Sequence, residues 1–189
     1  MKSNILKKIK LNALSGYLNF AITSCLVFFI SPFLIKFLGD SVFGIWKSIQ
    51  KILTFASIAD GKSTQALKWI IANDESQSNI KVKQQAVGSA LRVWFYFLPF
   101  VILIVIILVY KLPSLINDLD PSLYSVLHQA GLVLGVNILL NPLLKIPDAI
   151  LVGTNNGYKS NFIQIFGAIV SNLLMLLSSS LGYGLIGLS

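Results

Sequence analysis

Charge is what this chain has least of. Only 12% of its 189 residues are Asp, Glu, Lys or Arg, against roughly a quarter in a soluble globular domain. A water-soluble globule is therefore excluded. Acids are the scarcer half, seven against fifteen Lys and Arg, for a formal net charge of +8. The single cysteine, Cys25, cannot form an internal disulfide, and His128 is the only histidine. So few thiol, imidazole and carboxylate groups leave little material for a metal site, cofactor chemistry or an acid/base pair. Gly61-Lys62-Ser63 has the last letters of a phosphate loop without the upstream glycine, and neither HExxH nor CxxC occurs. No serine has a histidine and an acid legibly arranged to activate it. The chain is expected to be no enzyme and to use no cofactor or metal.

What it has instead is apolar length: 55% of residues are hydrophobic and the mean hydropathy is +0.78. A basic excess alone would admit nucleic acid, but nucleic-acid-binding chains do not carry long uncharged apolar runs. The bilayer is the expected partner. The opening MKSNILKKIK looks like the basic region of a secretory signal, yet the apolar segment after it, from about Leu11 to Leu38, is too long for a cleaved signal. It reads as a retained helix. A span needs about 20 mainly apolar residues, and five segments qualify: 13–37, 42–60, 87–110, 126–151 and 162–182. The fold class is thus expected to be all-α, a polytopic transmembrane bundle in one membrane domain over 1–189. The third segment is the clearest, since 93–110 holds no charge; the second contains two lysines.

Basic loops stay on the cytoplasmic side. With the N-terminus inside, ten basic residues become cytoplasmic, from Lys2 to Lys159, and only Lys36 and Lys111 fall outside. The N-terminus is therefore expected in the cytoplasm. The long inner segment 61–86 is expected to be a loop flanked by an interfacial helix, because QALKWIIA sets Trp69 among apolar residues. After the fifth segment, LGYGLIGLS ends on small and apolar residues, as though another helix were to follow. The chain is expected to be the N-terminal portion of a longer transporter.

Polar residues at bilayer depth are the informative ones, since an ionised Lys at the centre costs roughly 2.5 to 3.5 kcal/mol. Lys47 and Lys51 stand one helical turn apart, with Gln50 and Thr54 near the same side. They either snorkel to the outer interface or wall a cavity. In the fourth segment Asn137, Asn141 and Lys145 recur every fourth residue and Asp148 follows three later, a single polar stripe. Pro142 and Pro147 remove backbone donors there and are expected to kink or unwind the helix. The stripe either faces a hydrated lumen or is packing glue, with a Lys145–Asp148 pair locking helix to helix. Ser15, Asn19 and Thr23 form a similar face in the first segment, read as helix packing. Arg92 reads as an inside anchor, residues 94–97 as belt or packing aromatics, and His128 and Cys25 as structural.

Two stretches add a family. In residues 37–73 a Leu38-Gly39-Asp40 turn precedes Phe43-Gly44-Ile45-Trp46, a polar stretch, and Asp60-Gly61 before a cytoplasmic helix. Ile146-Pro147 then leads through Gly153-Thr154-Asn155-Asn156-Gly157 to Asn161. Both stretches resemble bacterial polysaccharide flippases of the O-antigen type, within the multidrug/oligosaccharidyl-lipid/polysaccharide exporter superfamily. Lys62 departs from the small apolar residues usual after the Asp-Gly. The resemblance implies five spans that form most of one six-helix lobe of a two-lobed exporter in the bacterial inner membrane. It implies transport by alternating access of an undecaprenyl-diphosphate-linked oligosaccharide, and other polysaccharide assembly proteins as partners. A diphosphate cannot enter hydrocarbon bare, so Lys47, Lys51 and Lys145 are the expected anion-facing groups and Asn137 and Asn141 the expected hydrogen-bond partners of sugar or headgroup. The competing readings are a drug/cation antiporter of the same superfamily, which would need a membrane-buried carboxylate, a membrane polymerase or glycosyltransferase, and a small structural subunit.

Overall fold

A computed structural model describes residues 2–56, 62–74, 80–116 and 121–188. Among them every regular element is helical: α1 Lys2–Leu38, α2 Asp40–Thr54, α3 Ser63–Asp74, α4 Ile80–Leu115, α5 Tyr124–Leu144, α6 Ile146–Gly153, α7 Gly157–Ser180 and α8 Gly184–Leu188. Four stretches among the described residues are long and apolar enough to cross a membrane: 6–38, 80–115, 124–153 and 157–180. All begin before the expected spans, because polar and basic first turns (Lys7, Lys8 and Lys10 in α1, Lys81 and Lys83 in α4) continue the helix beyond the apolar run. The second expected span is represented by the 15 residues of α2, about 22 Å of helix against a hydrocarbon core of about 30 Å. Part of it, 57–60, lies outside the described residues, as do Asp60-Gly61.

Directions follow from which residues meet. Asn12 meets Tyr158, Ser15 meets Asn161 and Asn19 meets Gln164, so α1 and α7 run parallel. On α5, a Cβ added at Gly135 would lie 2.6 Å from Val105 Cγ1, and one at Gly131 2.7 Å from Leu112 Cδ1. Hence α4 and α5 run antiparallel, and the two glycines let their backbones approach, as small residues do between membrane helices. The pairs α1/α7 and α4/α5 do not pack extensively on each other; α2 touches α1, α4 and α5, and α8 joins α2, α5 and α7.

Two apolar clusters result. The larger joins Ile30 and Leu34 of α1, Trp46, Ile49 and Leu53 of α2, Val101, Val105 and Val109 of α4 and Leu127 of α5. The smaller joins Leu67 and Ile71 of α3 to Ala86 and Ala90 of α4 and Ala149 of α6. Elsewhere the long helices turn large apolar side chains outward, among them Phe20, Phe28, Phe95, Tyr96, Ile106 and Phe166, as a lipid-facing surface requires. Of the aromatics at 94–97, Trp94 takes the packing alternative, at 9% exposed, while Phe95, Tyr96 and Phe97 face outward.

The expected break at the prolines is mild. Pro142 is buried inside α5, and Pro147 stands in the first turn of α6, where its missing N–H would have no intrahelical partner anyway. Lys145 N donates to Asn141 O at 3.0 Å and Ala149 N to Lys145 O at 2.9 Å. These bonds carry the helix through Lys145 without unwinding.

Candidate functional site

The polar face of α2 and the polar stripe of α5 meet along a groove. Its first part, about 350 Å³, is lined by Gln50, Leu53 and Thr54 of α2 and Leu134, Asn137 and Ile138 of α5. The second, about 400 Å³, shares Thr54 and Ile138 and adds Asn141, Pro142 and Lys145 with Lys62, Thr64 and Gln65 at the start of α3. The local cause is periodicity. On α2 the apolar residues Ile45, Trp46, Ile49 and Leu53 are buried in the core, which leaves Gln50 and Thr54 on the flank toward α5.

Of the expected site residues, Asn137, Asn141 and Lys145 are therefore brought together. Lys47 and Lys51 are exposed on α2 but do not line the groove. Lys47 is drawn back toward the start of its helix, with Nζ 4.5 Å from the Trp46 ring centre and 5.5 Å from that of Phe43. A cation over such faces is held by their quadrupoles. The Trp46 Nε1–H is buried without a hydrogen-bond acceptor among the described residues.

The side-chain amides of Gln50, Asn137 and Asn141 have no hydrogen-bond partner among the described residues, and Thr54 Oγ1 donates back to Gln50 O at 2.7 Å. Among the described residues no carboxylate lines the groove, while Lys62 and Lys145 do. The groove is thus polar, basic and rich in unspent donors and acceptors. It can take an anionic, hydroxyl-bearing group. No three His, Cys, Asp or Glu side chains come together among the described residues, so they offer no metal-ligand set.

Asp148 does not belong to this stripe. It lines neither part of the groove, and its ion-pair partner is Lys68 of α3, at 2.9 Å, not Lys145. Ser160 Oγ donates to Asp148 Oδ1, and Gln164 Nε2 donates to the same oxygen at 3.3 Å and to Ser160 Oγ at 3.2 Å. From there a polar seam runs between α1 and α7. Asn19 Nδ2 donates to Gln164 Oε1 at 3.0 Å and Asn161 Nδ2 to Ser15 Oγ at 2.9 Å. Asn12 Nδ2 donates to Asn155 Oδ1 at 2.7 Å, and Asn12 Oδ1 accepts from Tyr158 N at 2.7 Å. Asn12 so caps α7 from another helix, where α7's own Asn156 makes no side-chain cap. The packing role expected of Ser15 and Asn19 is what they perform; Thr23 bonds only its own helix, at Asn19 O.

Sequence reasoning missed the α3 wall and the Lys68–Asp148 pair. Thr64 and Gln65 follow the Asp-Gly in a plainly polar run, a signal that could have been used. Lys68 and Asp148 lie eighty positions apart, and no local pattern joins them. No family model, curated protein or solved structure matches the chain.

Proposed function

We propose that the chain belongs to a polytopic transporter of the bacterial inner membrane. Its cargo is an undecaprenyl-diphosphate-linked oligosaccharide, moved to the outer leaflet for surface polysaccharide assembly. The α2/α5 groove carries this reading. Amides without a hydrogen-bond partner among the described residues, set between apolar helices, are tolerated where water or a ligand satisfies them, and a basic groove of a few hundred Å³ suits a phosphorylated sugar head. The prenyl tail stays in the surrounding lipid. The basic residues of α1, α3 and the start of α4 support a cytoplasmic N-terminus.

Helix direction supports five crossings. If the four long stretches alone crossed the membrane, α1 and α7 would run in opposite directions, whereas they run parallel. One more crossing between them is needed, and α2 is the helix that lies there to supply it. Five helices so arranged make most of one six-helix lobe of a two-lobed exporter working by alternating access. The antiporter alternative would use a membrane carboxylate for ion coupling. Asp148, which sits among the helices, is paired with Lys68, and this favours the flippase.

Lys145→Ala in the producing bacterium is expected to lower surface polysaccharide about tenfold, the loss of one charge-assisted hydrogen bond, with the protein's membrane abundance unchanged. Lys47→Ala and Lys51→Ala are expected to lower it less. Parental polysaccharide in the Lys145→Ala, Asn141→Leu double variant would overturn the proposal.

A further inference from the structure

Helix α3 lies between two environments. Its inner seam is filled: Leu67 and Ile71 are fully buried, and Ile71 packs so closely on α6 that a Cβ at Gly153 would lie 2.8 Å from it. Lys68 is committed to Asp148. The outer stripe is not filled. Ala66, Trp69, Ile70 and Asn73 share one face by their spacing; all four are exposed, Trp69 at 69% and Ile70 at 44%.

The neighbouring helix α4 serves as a depth ruler. Its charge-free run begins at Val93, immediately after Arg92, and α3 is seated on Ala86 and Ala90. At 1.5 Å per residue that seat lies roughly 5–10 Å before the apolar run. The headgroup layer on each side of the hydrocarbon is about 5–8 Å thick, so α3 sits at headgroup depth. A tryptophan beside an isoleucine suits that layer, where an amphipathic ring meets both the acyl edge and water. Charge points the same way. Residues 62–92 carry five basic side chains (Lys62, Lys68, Lys81, Lys83, Arg92), of which Lys68 is paired with Asp148, against two acids, Asp74 and Glu75. Arg92 is exposed and Lys83 half-buried on α4 beside the seat.

We infer that α3 is a leaflet-binding helix whose Ala66–Trp69–Ile70–Asn73 face docks on anionic phospholipid headgroups. Thr64 and Gln65 of the same helix wall the groove. Docking therefore fixes the groove mouth at the membrane surface, where a lipid-borne ligand arrives. The inference needs only that the long helices cross a bilayer, and it stands whatever the groove carries.

The test uses the full chain with Trp46→Phe and Trp94→Phe, leaving Trp69 as the only tryptophan. It is reconstituted in phosphatidylcholine vesicles with and without phosphatidylglycerol. Trp69 fluorescence is expected to be quenched more by lipid brominated near the glycerol than by lipid brominated near the chain end, and to be shielded from iodide. Each cation near the surface is worth about fivefold in affinity for an anionic leaflet. Omitting phosphatidylglycerol is therefore expected to raise iodide access severalfold, and Lys83→Gln with Arg92→Gln to abolish that lipid dependence. Because Trp94 is buried, a second chain, Cys25→Ser with Trp69→Cys carrying an environment-sensitive dye, reports the same depth with Trp46 and Trp94 intact. Full iodide access without bromolipid quenching would place the face in water, open to a soluble partner, and overturn the inference. Shielding that ignores phosphatidylglycerol would overturn its anionic part.

Discussion

Along α1 and α7, the amides of Asn12, Asn161 and Gln164 each find a partner on the facing helix, and the seam ends at an ion pair. Along α2 and α5, those of Gln50, Asn137 and Asn141 find none among the described residues. Both regions place short polar side chains at helical spacing in apolar helices. What separates them is the fit of the facing surface. The parallel pair α1/α7 presents amide to amide, so the groups satisfy each other and leave one buried acceptor, Asn19 Oδ1, unused. In the groove α2 and α5 stand apart, and the same kinds of side chain line a space. Within a bilayer the first arrangement holds helices together and the second needs water or a ligand.

The largest expected break is Asp148→Ala. It strips Lys68 of its partner and leaves Ser160 Oγ and Gln164 Nε2 without their acceptor. Removing one member of this half-buried pair, together with the acceptor of two hydrogen bonds, costs about 2–3 kcal/mol. The fall should appear as a lowered melting temperature of the detergent-solubilised protein. Adding Lys68→Ala should restore part of it, since the orphaned charge is then gone; a double variant no more stable than Asp148→Ala would deny the pairing its role.

Asn12→Ala comes next. It removes the hydrogen bond to Asn155 Oδ1 and the cap on Tyr158 N. Membrane interhelix hydrogen bonds average about 0.6 kcal/mol and a lost cap costs about 1 kcal/mol, so a loss of about 1–2 kcal/mol is expected in the same melting assay. An unchanged melting temperature would mean the seam is decoration.

The difference between the two regions was only partly legible in the sequence. Hydropathy located the long helices because lipid exposure demands unbroken apolar runs, and the i, i+4 spacing put Asn137, Asn141 and Lys145 on one face. Spacing along one helix is silent about the facing helix. It therefore grouped Asp148 with Lys145, although Asp148 pairs with Lys68, and grouped Lys47 and Lys51 with Gln50, although Lys47 folds back over Trp46. The α3 wall was hidden for the same reason: Thr64 and Gln65 reach the groove only through the packing of Leu67 and Ile71 beneath them.

The smallest expected change in stability is the most discriminating. Asn141→Leu replaces an amide that bonds to nothing among the described residues with an apolar group of similar size, so it removes no interhelix hydrogen bond and opens no cavity. Its melting temperature should correspond to within about 0.5 kcal/mol of the parent. The matching change in the seam, Asn161→Leu, forfeits a bond to Ser15 Oγ at 2.9 Å and leaves that buried hydroxyl without its donor, for a loss of about 1 kcal/mol. The amide in the groove would then owe its place to whatever passes along it, and the amide in the seam to its neighbour. If Asn141→Leu instead destabilises as much as Asn161→Leu, the groove is held together by its polar groups, and the two regions are one kind of structure.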